Sequence, residues 1–141
     1  MIKEFKGKYR WLSNFAPCKV QLDGIEYPST ENAYQAAKTI NMKERTKFET
    51  ITAGQAKRAG KRITTREDWD EVKLRVMEDL NRQKYSKGLY KAKLLATGEV
   101  KIQEGNYWGD RFWGVCNGAG LNHLGKIIMK IRTELNQTKV G

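Results

Sequence analysis

Tyr27-Pro-Ser-Thr-Glu-Asn-Ala-Tyr-Gln-Ala-Ala-Lys38 is the stretch on which the fold turns. Pro28 breaks the extended segment before it, and Ser29 or Thr30 can accept the first free amides of a helix. The spacing predicts a helix from Glu31 to about Ile40, with Glu31 in the first turn where the helix dipole favours a carboxylate. Glu31, Tyr34, Gln35 and Lys38 follow the i, i+3, i+4, i+7 pattern and share one face. Ala33, Ala36, Ala37 and Ile40 form the opposite face, small enough to pack close to a core. The polar face then looks either into solvent or into a pocket.

Upstream, Val20, Leu22, Ile25 and Tyr27 alternate around Asp23-Gly24, a strong signal for a β-hairpin. Downstream, short helices are expected over Lys43 to Thr52 and Gly54 to Gly60. Thr65-Arg-Glu-Asp68 resembles a capping box and should open a helix whose core stripe is Trp69, Val72, Val76 and Leu80, widened by Leu74 and Met77. Ser86 is placed to cap a helix carrying Leu89, Tyr90, Leu94 and Leu95, ended by Thr97-Gly98. Val100 and Ile102 suggest a short strand. A last helix holds Leu121, Leu124, Ile127, Ile128, Ile131 and Leu135, with lysines on its other side.

Glu104 to Gly120 is rich in glycine and aromatic residues and has neither helical nor strand periodicity. Irregular segments of this length in compact domains tend to carry function. Trp108, Phe112 and Trp113 either plug the core or stack on a flat ring, with Glu104 and Asp110 doing polar work. Glycines at 105, 109, 114, 118 and 120 permit close backbone approach to a ligand. Gly118-Ala-Gly-Leu-Asn-His does not complete a dinucleotide fingerprint. The N-terminus of the last helix near Asn122 is a place for a phosphate.

The chain of 141 residues reads as one domain with a real core, 39% hydrophobic with four Trp, six Tyr and four Phe. No apolar run is long enough to span a bilayer, and the first residues lack an apolar signal core, so the expected compartment is the cytoplasm. Cys18 and Cys116 are expected to be reduced. The single histidine, His123, leaves little room for histidine-based dyads or triads. Carboxylates, lysine and aromatics are the expected chemistry. The net charge of +11, from 27 Lys and Arg against 16 Asp and Glu, attracts phosphate esters and nucleic acid, with Lys57-Arg58-Ala59-Gly60-Lys61-Arg62 a local concentration.

Three segments in order carry a family resemblance: Trp11-Leu-Ser-Asn-Phe15, the run from Tyr27 through Lys38, and Asn106-Tyr-Trp-Gly-Asp110 leading to Gly120-Leu-Asn-His-Leu-Gly125. Together with Trp69 they resemble the NADAR, or YbiA-like, family of small N-glycosidases, from about Gly7 to Leu135. The resemblance implies an α+β, helix-rich domain with a small antiparallel β component, and hydrolysis of an N-glycosidic bond at ribose. It implies phosphoribosylamino-pyrimidine intermediates of riboflavin synthesis, or ADP-ribose linked to guanine, as substrates. The basic charge favours the second, in nucleic acid.

The resemblance also implies Glu31, Lys38, Glu104 and Asp110 as catalytic residues, with Lys38 the amine that forms a Schiff base with the opened sugar. Asn14, Phe15, Tyr34, Gln35, Trp108, Trp113 and Asn122 are the implied substrate contacts. No metal or cofactor is implied, and no obligate protein partner or membrane. Where the family usually has Ser-x-Glu-His, Asn32 follows Glu31 here. An amide does not transfer protons as imidazole does, so the alternative is a non-catalytic nucleotide- or nucleic-acid-binding module on the same fold.

Overall fold

In the computed structural model, which describes residues 1–140, the chain forms two compact units. One is continuous, Asn14–Lys84. The other joins Met1–Ser13 to the chain from Tyr85 onward.

In the continuous unit, β1 (Pro17–Leu22) and β2 (Ile25–Ser29) form the expected antiparallel hairpin, with Leu22 opposite Ile25. Asp23 and Gly24 both have positive φ, 48° and 83°, the geometry of the tight turn that matches strand twist. Next come α1 (Thr30–Ala36), α2 (Met42–Thr46), a 3-10 turn at Lys47–Glu49, α3 (Ala53–Ala59) and α4 (Trp69–Lys84). Helix α1 is central, packed by the hairpin, α3 and α4. Every residue from Thr30 to Ala37 is therefore buried, the polar ones included. Val20, Tyr27, Ala33, Phe48, Met77 and Leu80 fill the surrounding core. Gln83 at the end of α4 grips β1 twice, donating to the Gln21 carbonyl at 2.8 Å and accepting from its amide at 2.7 Å.

Several expected boundaries move. Helix α1 ends at Ala36, and Ile40 is 72% exposed instead of extending the alanine face. The reason is Asn41, whose side chain accepts from the amides of Lys43 and Glu44 and caps a separate helix, α2. That helix stops at Thr46 and tightens into the 3-10 turn, short of the expected Thr52. Thr52 instead caps α3 through a capping box with Gln55. Helix α4 starts at Trp69, and Asp68 takes the Arg66 guanidinium at 2.6 and 3.0 Å. Leu74 is exposed and lies off the core stripe.

In the second unit, a 3-10 turn at Gly7–Leu12 is followed, after Tyr85, by α5 (Gly88–Ala96), β3 (Gly105–Asn106), β4 (Val115–Cys116) and α6 (His123–Val140). The N-cap of α5 is Lys87, one residue past the expected Ser86. Thr97 and Gly98 (φ 65°) do end it. Leu89 is exposed, as is Leu121, which precedes α6. Leu124, Ile127, Ile128 and Ile131 are buried as their spacing predicts. Val100 is exposed and unpaired with a strand. Ile102 makes a single parallel bridge to Ile2, and β3 pairs with β4 in parallel. The hairpin is thus the antiparallel part of an α+β, helix-rich fold.

Candidate active-site groups

In the continuous unit, Ser29 caps α1 by accepting from the Asn32 amide at 3.1 Å, which sets the first turn. The Glu31 amide donates to the Asn14 carbonyl at 3.1 Å, tying the segment before β1 to this turn. Glu31 is only 7% exposed, and its Oε1 accepts from Gln35 Nε2 at 2.8 Å one turn on. A bond of this kind fixes the direction in which a carboxylate points. Gln35 lies so close to Gly60 that a Cβ there would run into its side-chain amide. Gly60 has φ −61°, so the glycine is required by this close approach and not by backbone conformation.

Lys38 lies in the turn just past α1, with its carbonyl held by the Arg66 amide at 2.7 Å. Its ammonium sits 5.8 Å from the centroid of the Tyr34 ring, which itself packs on Trp69 at 5.2 Å. Burial lowers the Lys38 pKa from the ordinary lysine value. Glu31 opposes this, while Lys61 and Lys73 push it down further. Lys57 stands over the Phe15 ring at 6.0 Å. Asn14 is buried, and its amide donates to the Met77 sulfur.

Five buried side-chain oxygens in this unit have no hydrogen-bond partner: Asn14 Oδ1, Tyr27 Oη, Thr30 Oγ1, Gln35 Oε1 and Asn81 Oδ1. Three belong to α1 or the segment bonded to it. Each such atom costs about 1–3 kcal/mol, and natural proteins tolerate few without a functional reason. Asn32, by contrast, is fully engaged. Its Nδ2 donates to the carbonyls of Phe48 (2.9 Å) and Ile51 (2.8 Å), and its Oδ1 accepts from Ser29 Oγ. Position 32 is a strut between α1 and the 3-10 turn.

No motif in the sequence marks Lys84. It is 2% exposed, and burial lowers its pKa to about 7, with Cys18 pulling the other way. The signal for it is a positional one. Met77, Asn81 and Lys84 fall at i, i+4 and i+7, which puts an amide and an amine on the buried face of α4.

In the second unit, Asn106 is the organiser. Its Nδ2 donates to Glu104 Oε2 at 3.0 Å and to the Asp110 carbonyl at 2.8 Å, and its Oδ1 accepts from the Asp110 amide at 3.0 Å. Asp110 Oδ1 in turn accepts from the amides of Phe112 (3.1 Å) and Trp113 (2.9 Å). One asparagine therefore orients both carboxylate residues. Trp108 is 48% exposed, edge-on to Tyr107. Trp113 and Phe112 pack edge to face at 4.8 Å, and Phe112 lies 4.6 Å from His123.

Asn122 is a staple in this unit. Its Oδ1 accepts from the Glu104 amide and its Nδ2 donates to the Ile102 carbonyl, both at 3.0 Å. The amides of Leu121, Asn122, His123 and Leu124 donate to the carbonyls of Arg111, Gly114, Phe112 and Trp113. The donors that a phosphate would use at the start of α6 are occupied by the loop itself.

The implied site residues thus form two sets. Asn14, Phe15, Glu31, Tyr34, Gln35 and Lys38 belong to the continuous unit, and Glu104, Trp108, Asp110, Trp113 and Asn122 to the other.

The NADAR domain model matches residues 2–136. N-glycosidase YbiA of Shigella boydii is 33% identical, covering 90% of this chain and 82% of that protein. An N-glycosidase of Nostoc punctiforme is 34% identical, with 90% and 86% covered. A riboflavin biosynthesis protein of Vibrio vulnificus is 35% identical over 90% of this chain, which spans 36% of that protein's length. The solution structure of Escherichia coli YbiA superposes with a TM-score of 0.84 at 30% identity, over 99% of this chain and 89% of that one. The chain belongs to the NADAR domain family.

Proposed function

We propose that this protein is an N-glycosidase that hydrolyses the bond between ribose and the amine of a base in a phosphorylated compound. The observation that carries the reading is the α1 segment, where a half-buried Lys38 amine and the oriented, buried Glu31 carboxylate lie on the same stretch of chain. The names of the Shigella and Nostoc relatives support it.

The chemistry suits these groups. When ribose is joined to an exocyclic amine, its ring can open to a C1′=N imine. The neutral Lys38 Nζ adds to C1′, the base leaves as the free amine with the proton transferred from lysine, and a lysine–sugar imine remains. Water then adds to C1′, and the lysine is expelled to give the free aldehyde sugar. A lowered lysine pKa raises the neutral fraction that this step uses. Glu31 is the group positioned to relay protons to the departing amine and from the attacking water. The resemblance implies Glu104 and Asp110 as further carboxylates, and Asn106 holds both residues within the second unit.

ADP-ribosylated guanine in nucleic acid is the favoured substrate, because the charge is +11. The small-molecule version is a phosphoribosylamino-pyrimidine, in keeping with the name of the Vibrio relative. A non-catalytic binding module on the same fold is the competing reading. Its main support was the absent histidine at position 32. That support weakens when Asn32 is engaged in three bonds that hold α1 in place.

The test is product release. Incubation with ADP-ribosylated guanosine should yield free ADP-ribose, and incubation with a phosphoribosylamino-pyrimidine should yield ribose 5-phosphate. Release from neither would overturn the enzyme reading in favour of the binding module.

A further inference from the structure

Within the second unit, the N-terminal segment runs beside the chain at Lys101–Gly105. The Ile2 amide donates to the Lys101 carbonyl at 2.8 Å, and the Gln103 amide donates to the Ile2 carbonyl at 2.9 Å. Gln103 Nε2 reaches the Lys3 carbonyl at 3.3 Å. A Cβ on Gly105 would strike that same Lys3 carbonyl, so the glycine lets the two segments touch. Ile2 and Phe5 are buried, which turns Lys3, Lys6, Lys8 and Arg10 outward, all of them exposed. Glu4 is the one carboxylate among these ten residues.

This arm borders a groove of about 240 Å³ lined by Glu4, Lys6, Gln103, Asn106, Tyr107 and Asn117 among others. Tyr107 is 79% exposed. Its ring stands edge-on to Trp108 at 5.1 Å, and the Lys6 ammonium lies 5.2 Å from its centroid. A large ring left this open has no packing role to explain it. A cation beside it and the further exposed cations Lys3, Lys8 and Arg10 on the same arm favour an anionic partner that also carries flat rings.

We propose that Tyr107 and the N-terminal cations form a binding groove for single-stranded nucleic acid, in which Tyr107 stacks on an unpaired base and Lys6, Lys8 and Arg10 track the phosphates. A base held in a duplex is already stacked on both faces, so a projecting tyrosine selects single strands. Glu4 at the rim is an acceptor for an exocyclic amino group. The groove engages unmodified strands, so it goes beyond the hydrolytic reading and does not depend on it.

Fluorescence anisotropy of the full chain with a labelled, unmodified single strand of about twelve nucleotides tests this. Three probes of equal length are compared: the single strand, its duplex, and an abasic strand of the same charge. The groove predicts tighter binding to the single strand than to either control. Tyr107→Ala should weaken single-strand binding about tenfold, as loss of one stacked base does, while Tyr107→Trp preserves it. Lys6→Gln should lower the magnitude of the log–log salt slope by about 0.7. Equal affinity for the abasic strand, or Tyr107→Ala binding as the wild type does, would overturn the proposal. Thermal unfolding of each variant distinguishes a lost contact from a lost fold.

Discussion

Helix α1 and the loop from Glu104 to Asn122 hold carboxylates by opposite means. In α1 the backbone satisfies itself, and Glu31 is directed by a side chain one helical turn away, Gln35. In the loop the backbone pairs only in short pieces, over β3 and β4 and against the start of α6, and side chains add much of the rest. Asn106, Asp110 and Asn122 bind main-chain groups and fold the segment around themselves. The helix therefore frees its polar side chains for chemistry at the cost of burying them, while the loop uses many of its polar atoms as structure. This difference predicts that substitutions in α1 separate rate from stability, whereas those in the loop change both together.

The largest effect is expected at Lys38. Lys38→Ala should lower turnover by about 10²-fold or more with little change in unfolding midpoint, because the side chain is half-buried and lies past the helix. A parallel loss of stability and rate would erase the contrast with the loop.

Lys84 sharpens the claim that the helical unit buries polar groups at a cost. Its folded pKa of about 7 lies below the ordinary 10.5. Between those values the unfolded chain binds more protons than the folded protein, so the penalty is full below pH 7 and is relieved as pH rises towards 10.5. Lys84→Met should abolish the rise in stability between pH 7 and 10. Denaturant melts of both proteins across that range check this.

Asn32→Ala tests the strut. It removes donors from the Phe48 and Ile51 carbonyls and should cost about 3 kcal/mol. Turnover of the protein that remains folded should change little. A large loss of rate without loss of stability would restore position 32 to the chemistry. The smallest effect is expected in the loop, where Asn106→Ala should cost about 1 kcal/mol and also reduce turnover, since both Glu104 and Asp110 lose their guide.

What the sequence shows of this molecule follows the same division. Periodicity and turn chemistry disclose the hairpin at Asp23-Gly24, the existence of α1 and α4, and the buried stripe of α6, because each depends on local spacing. Asn41 and Thr52 are local caps too, but their effect on where helices stop depends on which competing cap the tertiary structure favours. Glu31, Gln35 and Lys38 are visible as an i, i+4, i+7 set, although Lys38 leaves the helix. Asn106 and Asn122 are hidden, since their partners are carbonyls and amides that no sequence pattern marks. Lys84 is hidden for another reason: a lysine near a helix C-terminus reads as favourable to the dipole and solvent-exposed, and only packing shows that it is buried.

The central claim is that Lys38 is the reacting amine of an N-glycosidase. The most direct measurement adds borohydride during turnover of ADP-ribosylated guanosine, digests the protein and locates the reduced sugar adduct by mass spectrometry. The account predicts an adduct on the peptide containing Lys38, absent in Lys38→Ala. An adduct on Lys84 instead, or free ADP-ribose released with no adduct at any lysine, would contradict it.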